Sequence, residues 1–298
     1  MTLIHVEHTI WSKLKPNAFN GNQRQRAWSI GLVVAALLSV MLANSRAGLV
    51  FALLACLGVA MLAYLFRQRV AAQGLRGVIY VFLFVVVVMC LAAQNDQRWS
   101  RMYNDLAAGW VGDPIQIECE GTPAIAVSIA ARFGSGPESE GLIESVRSGD
   151  GARIVVARAG FALSMQTPLG SDGSRQAFQK LLRKECPNPA IAMSHSHNGW
   201  VDMMLAIGIP GAVLYLVVLL DFAIRGYRLL ERDGAGNGWA LVLLVLVLAA
   251  FWIVRGVTDS VFRDHMLEMQ GFMLAFALVA SRNYVANRRA MSQRLMLA

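Results

Sequence analysis

The chain has few charged residues and lacks the short signatures of metal or nucleotide chemistry. Asp, Glu, Lys and Arg make up 15% of its 298 residues, whereas hydrophobic residues make up 56%. The sequence contains no His-Glu-x-x-His pattern, no cysteine and histidine grouping at metal-ligand spacing, no Walker loop and no Gly-x-Ser-x-Gly elbow. The composition excludes an ordinary soluble domain, and the missing signatures leave metal and nucleotide chemistry without support. We therefore expect no cofactor and no metal site.

A cleavable signal peptide is also not evident at the N-terminus. Residues 1–27 are polar, include four basic residues and contain no apolar core of the length that such a signal needs. We expect residues 1–27 to form a cytoplasmic tail.

Long apolar runs are the main feature that is present. A helix needs about 17–25 such residues to cross a bilayer. Six runs approach this length, of which the last is the weakest because it contains Glu268 and Gln270: Trp28–Ala43, Ala47–Phe66, Gly77–Ala93, Gly199–Ala223, Trp239–Val254 and Met266–Ala280. The sequence predicts an all-α polytopic membrane protein, with three spans in residues 28–93 and three in residues 199–280.

The distribution of basic residues predicts the orientation. If residues 1–27 are cytoplasmic, nearly all arginines and lysines of the short loops fall on the cytoplasmic side, as the positive-inside rule requires. Both termini are then cytoplasmic, including a tail of residues 281–298. The polar segment of residues 94–198 becomes one large outer loop between spans three and four. The net charge of +8 thus reflects topology and attraction to anionic lipids, and we expect no nucleic-acid partner.

Within the outer loop, turn-forming residues predict irregular structure or short strands over Gly109–Pro123 and Gly134–Gly141. Apolar periodicity predicts helices over Arg153–Gln166 and Ser174–Glu185, the second with Ser174 as its N-cap. Cys119 and Cys186 also lie in this loop. The sequence leaves open whether they form a disulfide, because it does not give their separation.

Arginines supply the first candidate site residues. Arg46 lies at the tip of a short predicted hairpin, where a guanidinium can bind an anionic headgroup or extend to the membrane surface. Arg153 and Arg158 are one and a half turns apart in their predicted helix and face different directions. At most one of them is expected to face a site, and Arg153 is favoured; either could be a surface charge.

The segment from His195 to Gly211 supplies the others. His197, Asn198, Gly208 and Gly211 form a His-Asn-x9-Gly-x-x-Gly pattern at the expected start of a span. A histidine there can accept a proton near neutral pH, and Asn198 can orient it or bind substrate. A hydrogen-bonded structural histidine is the alternative. Asp202, one turn into the span, needs a partner and favours function, whereas the break at residues 208–211 could be only a packing kink.

These residues resemble the O-antigen ligase and polymerase family of membrane glycosyltransferases. Ser45-Arg46-Ala47-Gly48-Leu49 resembles the family's first arginine motif, although Val50 stands where leucine is usual. Arg153 through Thr167-Pro168-Leu169-Gly170 resembles its periplasmic arginine helix, and His197–Gly211 resembles its histidine motif. Arg158 and His195 match less firmly.

The resemblance implies a GT-C-like fold in the bacterial inner membrane and a metal-independent transfer of a glycan from undecaprenyl diphosphate to a hydroxyl. For a ligase the acceptor is lipid A-core; polymerases and protein O-glycan ligases of the same family are alternatives. Arg46 and Arg153 would bind the diphosphate, and His197 would be catalytic, with support from Asn198, His195, Arg158 or Asp202. Family members usually have more than six spans, so this chain resembles their C-terminal portion. Three explanations stay open: Met1 is not the true start, a partner supplies the missing helices, or the protein is a degenerate remnant. A transporter subunit is the alternative from another class.

Overall fold

The computed structural model describes residues 72–95, 98–191, 193–233, 239–262 and 264–296, together with isolated positions between 50 and 64. All regular secondary structure within these residues is helical. Arg46 and the first predicted span lie outside the described residues, and most of the second span does too. Residues 54–298 form one compact unit of the chain.

Ten helices follow one another along the described chain. They are α1 (Ala72–Asn95), α2 (Arg98–Ala108), α3 (Pro114–Glu120), α4 (Thr122–Phe133), α5 (Pro137–Ser148), α6 (Asp150–Gln166), α7 (Ala177–Glu185), α8 (Gly199–Asp233), α9 (Trp239–Thr258) and α10 (Asp264–Met296). The four predicted apolar runs that fall on described residues lie within α1, α8, α9 and α10, which extend beyond them.

Helix α8 is the membrane-spanning element that the described residues support most clearly. Gly199–Leu229 is, among them, the one helix whose length and hydropathy suffice to cross a bilayer. Shorter apolar stretches occur at Ile79–Leu91, Thr122–Phe133 and Leu243–Thr258. The arrangement with six spans stays a prediction.

Helices α2 to α7 form a helical domain around α6. One face of α6 contributes Val155 to a buried cluster with Ile117 and Ile125, supplied by α3 and α4. The adjacent face of α6 contributes Val156 and Leu163 to a second cluster that includes Phe178 of α7 and Leu205 of α8: Val156, Ala159, Leu163, Ala177, Phe178, Leu181, Leu182, Val201 and Leu205. Helix α6 therefore contributes to two buried clusters through adjacent faces, as predicted for a helix that lies against apolar surroundings.

The expectation of loops or short strands over Gly109–Pro123 and Gly134–Gly141 is wrong. Helices α3, α4 and α5 occupy much of these stretches, and each has a proline in its first turn: Pro114, Pro123 and Pro137. Proline at a helix start loses no hydrogen bond, because the first N–H groups have no partner within the helix. The prolines thus begin helices here.

The start of α7 also differs from the prediction. The helix begins at Ala177, with Gln176 as its N-cap residue. The Ser174 hydroxyl instead accepts the amide of Gln176 at 3.2 Å, and the Ser174 amide donates to Asp172 Oδ1 at 3.0 Å. These local bonds hold residues 172–176 in a turn that precedes the helix.

The two cysteines of the helical domain form a disulfide, which settles a pairing that the sequence left open. Cys119 near the end of α3 is bonded to Cys186, which follows α7. The bond closes a loop of 67 residues that contains all of α6. The amides of Ala190 and Ile191 donate to the carbonyl oxygens of Cys119 and Glu118, so the chain leaving the disulfide runs along the end of α3.

The turn that follows α6 packs against a break in α8. Gly208 has φ 83° and ψ 168°, which interrupts the helix, and Pro210 has no N–H to donate to Ala206. The turn supplies the missing partners: Ile209 N donates to Pro168 O at 2.8 Å, and Gly173 N donates to Ala206 O at 3.0 Å. Backbone that leaves helical form within a span is tolerated where protein satisfies it, as it does here. The Gly208–Gly211 break is thus a packing kink that joins α8 to the helical domain.

Candidate functional site

The predicted histidine segment lies at the N-terminal end of α8, where α9 also ends. Two hydrogen bonds anchor it to the last turn of α9 and to the residue that follows this helix. Gly199 N donates to the carbonyl oxygen of Asp259 at 2.9 Å, and Asn198 Nδ2 donates to the carbonyl oxygen of Val257 at 2.8 Å. The Asn198 side chain also accepts the amide of Val201 at 3.1 Å, as an N-cap does. The structure therefore gives Asn198 a positioning role.

His197 has a strained backbone. Its φ of 55° makes it, within the described part of the chain, the one non-glycine residue in the left-handed region. Its neighbours impose this conformation: Ser196 is fully buried, its amide donates to Asp202 Oδ1 at 2.9 Å, and its hydroxyl donates to the carbonyl oxygen of Asn198 at 2.9 Å. Strain that the surroundings enforce is typical of functional positions. Asp202 thus has the partner that the sequence required.

The imidazole of His197 is half-buried and close to several charged groups. Burial lowers its pKa below the ordinary value, and His195 and Arg153 lower it further, while Asp259 and Asp202 oppose the shift. The rings of His195 and His197 have centroids 4.3 Å apart. His197 is therefore neutral near pH 7 and has a ring nitrogen that can accept a proton.

Arg153 and Arg158 lie on different sides of α6, as predicted. Arg153 is exposed and close enough to His197 to act on it electrostatically. Gly160 makes this proximity possible, because a Cβ at that position would lie 2.6 Å from Val201 Cγ1 and 3.0 Å from Ser196 Cβ. The absence of a side chain at Gly160 thus lets α6 approach the histidine segment.

Arg158 binds the turn between α2 and α3. Its Nη1 donates to the carbonyl oxygens of Gly109 and Val111 at 3.0 and 3.1 Å, and its Nη2 donates to that of Gly112 at 2.9 Å. The guanidinium also lies 5.5 Å from the ring centroid of Trp110. These contacts give Arg158 a structural role, because they commit three of the five N–H donors of its guanidinium to the main chain of the turn.

Asp259 is a member of the site that the sequence analysis did not identify. It follows α9, forms an ion pair with Arg255 one turn earlier and acts on the pKa of His197. The signal available in the sequence was an acidic residue four positions after a basic one at the end of a predicted span, a pattern that is usually only a surface pair. Only the packing of α9 against α8 brings Asp259 to the histidine.

The site thus combines an exposed cation, a neutral imidazole and two carboxylates at one end of an apolar helix. Such a site can bind an anion beside a group that accepts a proton. Among the described residues, no three His, Cys, Asp or Glu side chains gather in a way that could hold a metal ion. The position of Arg46 relative to this site lies outside the described residues.

Comparison with known proteins adds one finding. A family model for O-antigen ligase matches residues 31–216, which is more than half of the chain and includes Arg46, Arg153 and His197. No curated protein and no solved structure matches the chain significantly. From the extent of this match, the chain belongs to the O-antigen ligase family, whose members are membrane-embedded and act in glycan transfer.

Proposed function

We propose that this protein transfers a glycan from undecaprenyl diphosphate to a hydroxyl of lipid A-core at the periplasmic face of the bacterial inner membrane. The observation that carries the proposal is the neutral His197 beside the exposed Arg153 at the end of α8. Membership of the O-antigen ligase family supports the reaction type.

Arg153 is assigned to the diphosphate of the donor. When the bond between the anomeric carbon and the diphosphate oxygen breaks, the electron pair leaves with the diphosphate, and negative charge develops on its oxygen. A guanidinium fixed beside that oxygen stabilises the charge and presents a planar fork to it. Arg46 is assigned the same task on the basis of its motif alone.

His197 is assigned the role of general base. The acceptor hydroxyl donates its proton to a ring nitrogen while its oxygen forms the new bond to the anomeric carbon. A neutral imidazole is required for this step, and burial together with the charges of Arg153 and His195 favours the neutral form. The opposing carboxylates of Asp202 and Asp259 would stabilise the imidazolium after it has accepted the proton.

Transfer in cells that lack their own ligase tests the proposal. The chain is expressed there, and polysaccharide attached to lipid A-core is measured by gel electrophoresis and mass spectrometry. We expect attachment by the wild-type chain and its loss in His197→Ala and Arg153→Gln. His265→Ala and Arg147→Gln are matched controls, because both residues are exposed and lie outside the site. Full transfer by His197→Ala would refute the assigned role.

The acceptor distinguishes the proposed ligase from its relatives. A polymerase would lengthen the lipid-linked glycan without attaching it to lipid A-core, and a protein ligase would add it to a polypeptide. The same cells report all three products. If the chain alone attaches nothing, coexpression with additional N-terminal spans tests whether a partner must supply further helices.

A further inference from the structure

The helical domain contains a recess whose lining does not include His197. It lies between α2, α4 and the turn bound by Arg158, and its volume is about 830 Å³. This falls within the range of about 300–1,000 Å³ that is typical of small-molecule sites. Its lining combines three aromatic rings with an amide, a hydroxyl and a guanidinium: Tyr103, Trp110, Phe133, Asn104, Ser128 and Arg132.

The aromatic rings of this recess are unusually open to solvent. Tyr103 keeps 81% of its surface exposed and Trp110 keeps 66%. Burying such rings is favourable, so exposed aromatics that gather in a recess indicate a surface that a ligand covers. The three rings come from three different segments around the recess: Tyr103 from α2, Trp110 from the turn and Phe133 from α4.

Contacts with Arg158 hold Trp110 and its turn in place. The guanidinium of Arg158 lies against its ring and also binds the carbonyl oxygens of Gly109, Val111 and Gly112. On the other side of the turn, Ser128 packs against Gly112, where a Cβ would lie 2.2 Å from the serine Oγ. The turn and its indole are therefore fixed before any ligand arrives, which lowers the entropic cost of binding.

We propose that this recess binds an oligosaccharide segment of the glycan that the protein transfers, an inference that rests on the proposed function. Pyranose rings present patches of C–H groups that pack on aromatic faces, and their hydroxyls pair with amide, hydroxyl and guanidinium groups. The recess offers both kinds of contact. A hydrocarbon chain would satisfy the rings but would leave Asn104 and Arg132 without hydrogen bonds, which is unfavourable.

The position of the recess suits a glycan that extends from the reaction site. Arg158, which supports Trp110, follows Arg153 by five residues on α6, a rise of about 7.5 Å. The two arginines face different sides of the helix, so the recess is separate from the diphosphate site. A chain of several sugars attached at one site can therefore reach the other.

Binding by the full chain in lipid nanodiscs tests this inference. The probe is the water-soluble glycan released by mild acid from the lipid-linked pool of the cells that express the protein, and saturation-transfer NMR measures its contact and affinity. We expect wild type to bind, and Trp110→Ala to weaken binding at least about tenfold, as loss of an aromatic anchor does. Arg132→Gln should weaken it less. Phe161→Ala is the control, because Phe161 is exposed on α6 outside the recess.

The outcomes separate this inference from the proposed function. If Trp110→Ala binds the glycan as wild type does, or if wild type does not bind it, the recess is not a glycan site. Loss of contact with brominated lipid in Trp110→Ala, with glycan binding unchanged, would identify a lipid surface instead. His197→Ala should keep glycan binding while losing transfer. Failure of the proposed function is read from transfer alone, in the cells that lack their own ligase.

Discussion

The side-chain amide of Asn198 donates a hydrogen bond to the carbonyl oxygen of Val257 at 2.8 Å, and this bond connects the start of α8 to the end of α9. The same side chain caps α8 through Val201. One residue therefore sets both where α8 begins and how the histidine segment lies against the turn that carries Asp259.

Two substitutions at Asn198 separate these contacts. Asn198→Ala removes both and should lower the free energy of unfolding by about 1 kcal/mol through the lost cap alone. Asn198→Asp keeps an oxygen for the cap but no longer donates to Val257. We expect Asn198→Asp to retain most of the thermal stability, measured by a melting curve in detergent, and to lose transfer. Equal transfer by Asn198→Asp and wild type would contradict the importance of the Val257 contact.

The charges around His197 predict opposite pKa changes in two variants. Arg153→Gln removes a positive charge and should raise the pKa of His197, whereas Asp259→Asn removes a negative charge and should lower it. Histidine-labelled protein followed by NMR over pH 5–8 measures both, with His197→Ala used to assign the signal. Because the folded-state pKa of His197 is lowered, its contribution to stability is present above the unfolded-state pKa and is lost as the pH falls through the lower folded-state pKa. If the pKa of His197 shifted in the same direction in both variants, the charges of Arg153 and Asp259 would not be placed around His197 as the structure shows.

Glu118 predicts a pH dependence of stability in the helical domain. Its carboxyl group is fully buried, and neither oxygen has a hydrogen-bond partner within the described part of the chain. Burial raises its pKa to about 8, so the folded state retains a proton that the unfolded state releases. Stability should therefore fall as the pH rises from about 5 to about 8 and then level off. Glu118→Gln should remove this slope in melting curves, while Glu120→Gln, an exposed control, should leave it unchanged.

The Cys119–Cys186 disulfide should stabilise the helical domain substantially. In the chain-entropy description, closing a loop of 67 residues lowers the conformational entropy of the unfolded chain and thereby raises the free energy of unfolding by about 4 kcal/mol. The Cys119→Ser, Cys186→Ser double variant should melt at a lower temperature and should be cleaved faster by protease between α3 and α7. Cys56→Ser and Cys90→Ser are controls, since neither cysteine is disulfide-bonded. An unchanged melting temperature in the double variant would show that packing alone holds the domain.

Gly208 should resist substitution more than Gly271 of α10 does. A Cβ at Gly208 would lie 2.5 Å from the carbonyl carbon of Leu169, and the φ of 83° disfavours any side chain. Gly208→Ala should therefore reduce the yield of folded protein in size-exclusion chromatography. Gly271→Ala is the control, because open space surrounds Gly271 within α10 and alanine favours a helix by up to about 1 kcal/mol. A normal yield of folded Gly208→Ala would contradict the close packing of Gly208 against the turn after α6.

The parts of the fold that depend on local pattern could be predicted from the sequence. Apolar periodicity identified α6 within a few residues of its start, and the change from polar to apolar sequence located the start of α8. Local reasoning failed for α3, α4 and α5, because proline is compatible with both a turn and a first helical turn. The choice between the two depends on the core around Ile117 and Ile125, to which distant residues contribute.

The residues of the candidate site also divide into those that the sequence predicts and those that it does not. His197 and Arg153 carry recognisable motifs, and their side-chain chemistry is evident from residue type. Asp259 and the structural role of Arg158 are not evident, because each depends on contacts across long stretches of sequence. Arg158 meets carbonyl groups nearly fifty residues earlier, and the position of Asp259 depends on how α9 packs against α8.

The attachment of α8 to the turn after α6 has a consequence for how this protein can evolve. Its bonds, from Ile209 to Pro168 and from Gly173 to Ala206, are made by main-chain atoms, which every residue type except proline can supply as both donor and acceptor. Side chains such as that of Leu169, which is 83% exposed, can therefore drift in sequence without loosening the attachment, provided that the glycines remain. Mutational tolerance should thus be high along the surface of the turn and low at its glycines.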